Sequence, residues 1–230
     1  MANRGASRRP RGRRANRLDY SLAPEPEFTY TFTSLYPTEL EEELRKLPRT
    51  HDRIQAALTA CAAMKNSEPG SDHARRKAEA AFRSALTEYV TIEDTLNREL
   101  PAGKPRFKLH NTQNPLPHVL ELLRHLQIHG MANELSDITI SLWLKNVPGA
   151  EPVDVSAWVI SDLADAQLLK LDAFDHGYYT PAQATEMVNW VKTRQTKFGI
   201  GDIIHRGILE TAERIVKTYL PKAQAAGSPS

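Results

Sequence analysis

Asn114-Pro-Leu-Pro-His-Val-Leu-Glu-Leu-Leu-Arg-His-Leu-Gln-Ile-His129 is the stretch on which the reading of this chain turns. Its apolar positions recur at helical spacing, and Pro115 stands where a first-turn proline is tolerated, so a helix is expected from about 114 to 131. At roughly 100° per residue, Leu116, Val119, Leu120, Leu123 and Leu126 share one side, which must be core. On the same wheel His118, His125 and His129 fall within about 20° of one another, with Arg124 on the opposite flank of the polar arc and Glu121 and Ile128 between. Such a helix buries its leucines only if other helices cover them.

The segments on either side supply that cover. Leu40, Leu44 and Leu47 mark a helix from 38 to 47, a second is expected over 52–64, and a long third over 71–100 carries Ala78, Phe82, Ala85, Leu86, Tyr89 and Ile92 on one side. Pro69 and Gly70 mark the turn between the second and third, and 101–114 is a loop. The period then changes to two, at Ile138, Ile140, Leu142 and Leu144 and again at Val153, Val155, Ala157 and Val159, which predicts a β-hairpin over 137–160. A short helix near 162–171 follows. Thr180-Pro-Ala-Gln183 opens another with a capping box, Phe198-Gly-Ile-Gly201 breaks it, and a last helix runs over 202–220. The fold class is mainly α, one domain over 28–220, with a β-hairpin insertion and additional C-terminal helices.

At 230 residues, with 40% hydrophobic and 25% charged, the chain can bury one sizeable core. Residues 1–27 lack hydrophobic periodicity and are expected to be disordered, as is the tail 221–230. Phe28-Thr-Tyr30-Thr-Phe32 fits an edge strand or an extended arm. The net charge of +2 hides an asymmetry: residues 1–17 hold seven Arg and no acid, which leaves 23 Lys+Arg against 28 Asp+Glu elsewhere. Arg8, Arg9, Arg11, Arg13 and Arg14 are therefore the candidate nucleic-acid-binding residues, held by the phosphate backbone without sequence choice; a solubilising or localising tail is the other reading. A single Cys61, set among alanines, precludes an intramolecular disulfide and reads as a small core residue. No segment approaches the ~20 apolar residues that cross a bilayer, and no secretory h-region follows the basic start, so a cytoplasmic protein with no membrane partner is expected.

An arginine and a histidine bordering one polar face suit phosphodiester chemistry without a metal. Histidine exchanges protons near neutrality, and guanidinium holds a phosphate and stabilises a pentacoordinate transition state, while RNA brings its own 2′-OH nucleophile. The stretch 114–129 resembles the signature of the HEPN superfamily, an Arg, a polar residue, a few variable positions and a His on a helix. The resemblance extends over about 50–131, where two preceding helices fit a HEPN-like bundle. It implies a metal-independent endoribonuclease of a toxin or defence system, needing no cofactor, or else the non-catalytic HEPN-like bundle that other members of the superfamily form. Arg124 would bind and polarise the phosphate, His129 would be the acid/base, and His125 would occupy the polar place most often filled by Asn. It further implies an RNA substrate, a homodimer with one Arg-His pair from each chain, and an antitoxin or other protein partner.

Other readings of the same residues stay open. His125 and His129 have the i, i+4 spacing that lets two imidazoles share a metal, with His118 extending the stripe, although the Glu of a His-Glu-x-x-His site is absent. A non-catalytic helical interaction module, docking through its Arg-rich tail on nucleic acid or an acidic partner, is the alternative from a different class. Trp143, Trp158, Trp190 and Tyr178-Tyr179 could stack on bases but read as core or interface. Asp162, Asp165, Asp172 and Asp175-His176 read as helix-end acids.

Overall fold

The structure, a computed structural model, describes residues 15–26, 38–67, 69–131, 134–142 and 151–220. These form helices α1 (Thr38–Leu44), α2 (Pro48–Lys65), α3 (Asp72–Glu99) and α4 (Pro115–Ile128), strands β1 (Leu135–Leu142) and β2 (Val153–Ile160), short helices α5 (Asp165–Leu168) and α6 (Asp172–Asp175), and the long α7 (Pro181–Tyr219). The described residues are mainly helical, with one small antiparallel sheet. The expected strand at 28–32, Trp143 and Arg8, Arg9, Arg11, Arg13 and Arg14 lie outside the described residues.

α2 and α3 pair as a helical hairpin whose facing sides bury Ile54, Leu58, Cys61, Phe82, Leu86 and Tyr89. The periodicity predicts a start for α2 near residue 52, but the helix begins at Pro48. Leu47 offers no side-chain cap, and the missing acceptor comes from the far end of α3: Glu99 accepts the backbone N–H of Arg49 and of Thr50, both at 2.9 Å, and the Thr50 hydroxyl at 2.7 Å. A carboxylate at a helix N-terminus satisfies orphan donors and complements the dipole, so a tertiary contact sets this boundary. α3 and α4 are capped locally, by Ser71 and Asn114.

The leucine side of α4 is buried as its periodicity predicts, with Leu116, Val119, Leu120, Leu123 and Leu126 each at 3% exposure or less. It lies against α7, where Gly207 leaves room: a Cβ there would stand 2.3 Å from Leu120 Cδ1. α7 opens on the reciprocal Thr180–Gln183 cap and continues through the expected break. The two helices expected in this region meet at a kink at Gly199, with φ 76° and ψ 161°.

β1 and β2 pair from Leu135↔Ile160 to Leu142↔Val153. The inner end is anchored on α7 by buried Gln195, whose carbonyl accepts the Ile160 N–H and whose amide donates to the Ile160 carbonyl, both at 3.0 Å, as a third strand would. Trp158 is 5% exposed and donates from Nε1 to the Ser67 carbonyl at 2.9 Å. Cys61 is fully buried, and its thiol donates to the Gly201 carbonyl while burial pushes its pKa up to about 12, as befits a core thiol. Among the described residues no helix is long and apolar enough to cross a membrane.

Candidate functional site

The polar side of α4 is walled in by three segments, each fixed by identifiable bonds. The loop after α3 is stapled back onto that helix. Asn97 accepts the Phe107 N–H at 2.8 Å and donates to its carbonyl at 2.9 Å, and Glu93 accepts the Leu109 N–H at 2.8 Å. Arg214 of α7 donates to the Leu109 carbonyl at 2.9 Å and lies over the Phe107 ring. These bonds set His110 against α4, its Nδ1 3.4 Å from Glu121 Oε2. α6 and the turn after it form the second wall and bring Asp172, His176, Tyr178 and Tyr179.

The third wall is the described start of the chain. The Asn16 N–H donates to the Tyr178 carbonyl at 2.9 Å, Gln183 Nε2 donates to the Asn16 carbonyl at 2.7 Å, and the Asp19 N–H donates to the Gln113 carbonyl at 2.8 Å. Between the three walls lies a pocket of about 290 Å³. Its lining includes four imidazoles, His110, His125, His129 and His176, and two carboxylates, Glu121 and Asp172. Tyr179 and Asn16 complete the rim. Among the described residues no three His, Cys, Asp or Glu side chains are arranged to hold a metal ion.

His118, which the helical wheel groups with His125 and His129, takes a different place. It is fully buried, because the loop before α4 and the segment before α7 close over the first turns of the helix. Its Nε2 is 2.8 Å from the Thr112 carbonyl and its Nδ1 is 2.7 Å from the Tyr179 hydroxyl. A carbonyl only accepts, so Nε2 carries the proton, and in the neutral ring Nδ1 accepts from the tyrosine. Burial lowers the His118 pKa and keeps the ring neutral.

Glu121 governs the charge at the pocket floor. Burial pushes its pKa up, but the hydrogen bond from His110 and the charges of His110 and His125 outweigh this and hold it below the usual value. The same hydrogen bond raises His110. An ionised carboxylate and a histidine biased towards its charged form thus line the pocket, and a histidine biased towards its neutral form lies buried behind Tyr179.

Of the residues singled out from sequence, His125 and His129 meet in this pocket. Arg124 does not line it. It is half-buried on the adjacent flank of α4, with Nε enclosed and without a hydrogen-bond partner among the described residues. Among the other pocket residues His110 carries no signal in the sequence, whereas Asp172, His176 and Tyr179 are read there as helix-end groups or as a core or interface aromatic. Asp172 and His176, read as helix-end residues, do sit at the ends of α6, yet their i, i+4 spacing also turns both to the pocket. His110 comes from an irregular loop whose path depends on Asn97, Glu93 and Arg214, and no periodicity announces that.

Comparison with known proteins gives no match to a family model, to a curated protein or to a solved structure.

Proposed function

We propose that this protein is a metal-independent endoribonuclease, resembling the HEPN superfamily, whose proton-transferring groups lie in the histidine-lined pocket of α4. The observation that carries the reading is the joint presence of His125 and His129 on one pocket wall, with the chain leaving the rim at Asn16 directly into an arginine-rich segment. Imidazoles that change charge near neutrality can protonate a leaving 5′-oxygen, and the arginines upstream of Asn16 can hold the phosphates of a bound strand.

In this reading His129 is the general acid, His125 its polar neighbour, and Arg124 stabilises the phosphorane. Because Arg124 lies outside the pocket of its own chain, a homodimer is part of the proposal: each chain's Arg124 would serve beside the pocket of the other. Attack by the 2′-oxygen forms the new P–O bond as the P–O5′ bond breaks, which yields a 2′,3′-cyclic phosphate and a 5′-hydroxyl.

Incubating the full-length protein with RNA in EDTA tests this. The expected outcome is cleavage with cyclic-phosphate ends, and a loss of roughly 100-fold or more in the Arg124→Ala/His129→Ala variant, the order expected for removing acid–base catalysis. Equal rates for wild type and variant would falsify the proposal.

A further inference from the structure

The hydrogen-bond chain beneath the pocket contains a group that acid catalysis by His129 leaves unused. Tyr179 is 6% exposed, yet it lines the pocket and directs its hydroxyl at His118. The hydroxyl proton is committed: Nε2 of His118 is occupied by the Thr112 carbonyl, so Nδ1 is the acceptor and Tyr179 the donor. The Asn16 side chain lies beside the same oxygen and offsets a little of the rise that burial imposes on its pKa. A phenolic oxygen has one proton and two lone pairs, so a lone pair remains to accept a proton from a bound hydroxyl.

We infer that Tyr179 and His118 together form the base of the site, Tyr179 Oη taking the proton of a substrate hydroxyl as its own proton passes to His118 Nδ1. This rests on the ribonuclease reading and assigns its missing half. The 2′-O–H bond breaks and its proton goes to Tyr179 Oη. The Tyr179 O–H bond breaks in turn, its proton goes to Nδ1, and the electron pair left on the 2′-oxygen forms the bond to phosphorus. Tyr179 ends as it began, a neutral phenol, and His118 becomes an imidazolium with both ring protons hydrogen-bonded, one to Thr112 and one back to Tyr179. No phenolate is needed, which suits a hydroxyl whose ionisation burial opposes. His129 remains to protonate the leaving oxygen, so one histidine accepts and the other donates.

The groups facing His118 fit a ring that must gain charge briefly. Glu121 of its own helix favours the imidazolium, whereas His110 from the loop and Arg214 from α7 oppose it, and burial opposes it most. The resting state is therefore neutral and ready to accept. Cleavage should fall on the acid side as His118 is protonated in advance.

Three proteins decide the matter, all full length: wild type, Tyr179→Phe and His118→Asn. The asparagine Oδ1 falls near the place of Nδ1 and can still accept the Tyr179 hydroxyl, but it cannot take the proton. The relay predicts that both variants lose kcat by about 100-fold or more with KM little changed, as for removal of a general base. It also predicts that His118→Asn abolishes the acid-side fall of the pH profile. Nitrogen-15 NMR of wild type should show His118 protonated at Nε2 and bare at Nδ1. If His118→Asn retains wild-type kcat and pH profile, or if Nδ1 carries the proton, the relay is overturned and the ribonuclease reading stands. If wild type leaves RNA intact, the ribonuclease reading fails and takes the relay with it. Tyr179→Phe strands a buried acceptor on His118; should that variant not fold, the kcat and pH profile of His118→Asn decide between the same two outcomes.

Discussion

Glu121 sits between the flanks of the polar arc of α4, a position the helical wheel already assigns it, but its partner His110 comes from a loop. The pair has a pH signature. His110 is raised above its ordinary 6.5, so its contribution to stability is fully present below that value and is lost as pH climbs through the raised pKa. Glu121 is lowered below 4.5, so its contribution is present above 4.5 and is lost as pH falls through the lowered pKa. Both act fully between those two values. Glu121→Gln is therefore expected to be less stable than wild type in that window, by less than about 1 kcal/mol since His110 is 40% exposed and screened. The gap should close as pH rises past the His110 titration, and denaturant melts at three pH values would show it. A gap that widens instead would mean the pair is not the source. At this scale the sequence reveals that His125 and His129 share a face, because α-helical geometry is local. That His118 leaves that face for the core was not legible, since only the packing of Tyr179 and Thr112 around it decides so.

The elements were largely legible because they are strongly periodic: α3, α4 and the hairpin begin and end within a few residues of expectation. The exceptions have tertiary causes. α2 starts early because Glu99 reaches it from the other end of α3. The break in α7 was legible as Phe198-Gly-Ile-Gly201, but its consequence was not, for Gly199 does more than interrupt a helix. Its backbone occupies a region that side chains rarely enter, and a Cβ would stand 2.8 Å from Ala157 Cβ on β2. The kink lets α7 pass the sheet while Gln195, one turn earlier, holds Ile160. Gly199→Ala is expected to cost about 1–3 kcal/mol for the strained backbone alone, with the overlap on β2 added, and so to lower Tm by several degrees. An unchanged thermal melt would show that the kink is not required for hairpin docking.

Across the whole molecule, charge and shape divide between two parts of the chain. Six arginines and no acid lie before Asn16, and the remainder of the chain carries a net acidic balance, so the two parts are electrostatically complementary to different partners. Deleting residues 1–14 removes six arginines but leaves Asn16 to bond Tyr178 and Gln183. The shortened protein is expected to melt as wild type does while binding single-stranded RNA more weakly, its salt dependence shallower by about 0.7 in log–log slope for each phosphate that the arginines no longer neutralise. Unchanged affinity and slope would remove RNA holding from the tail. The sequence by itself determined the helical class, the leucine face of α4, the hairpin and the charge asymmetry, because each follows from the order of neighbouring residues. Only the tertiary structure decided which polar groups share a pocket, which histidine is buried neutral, and that Arg124 stands outside. Those depend on contacts between residues as distant in the chain as Asn16 and Tyr178, and no local period records them.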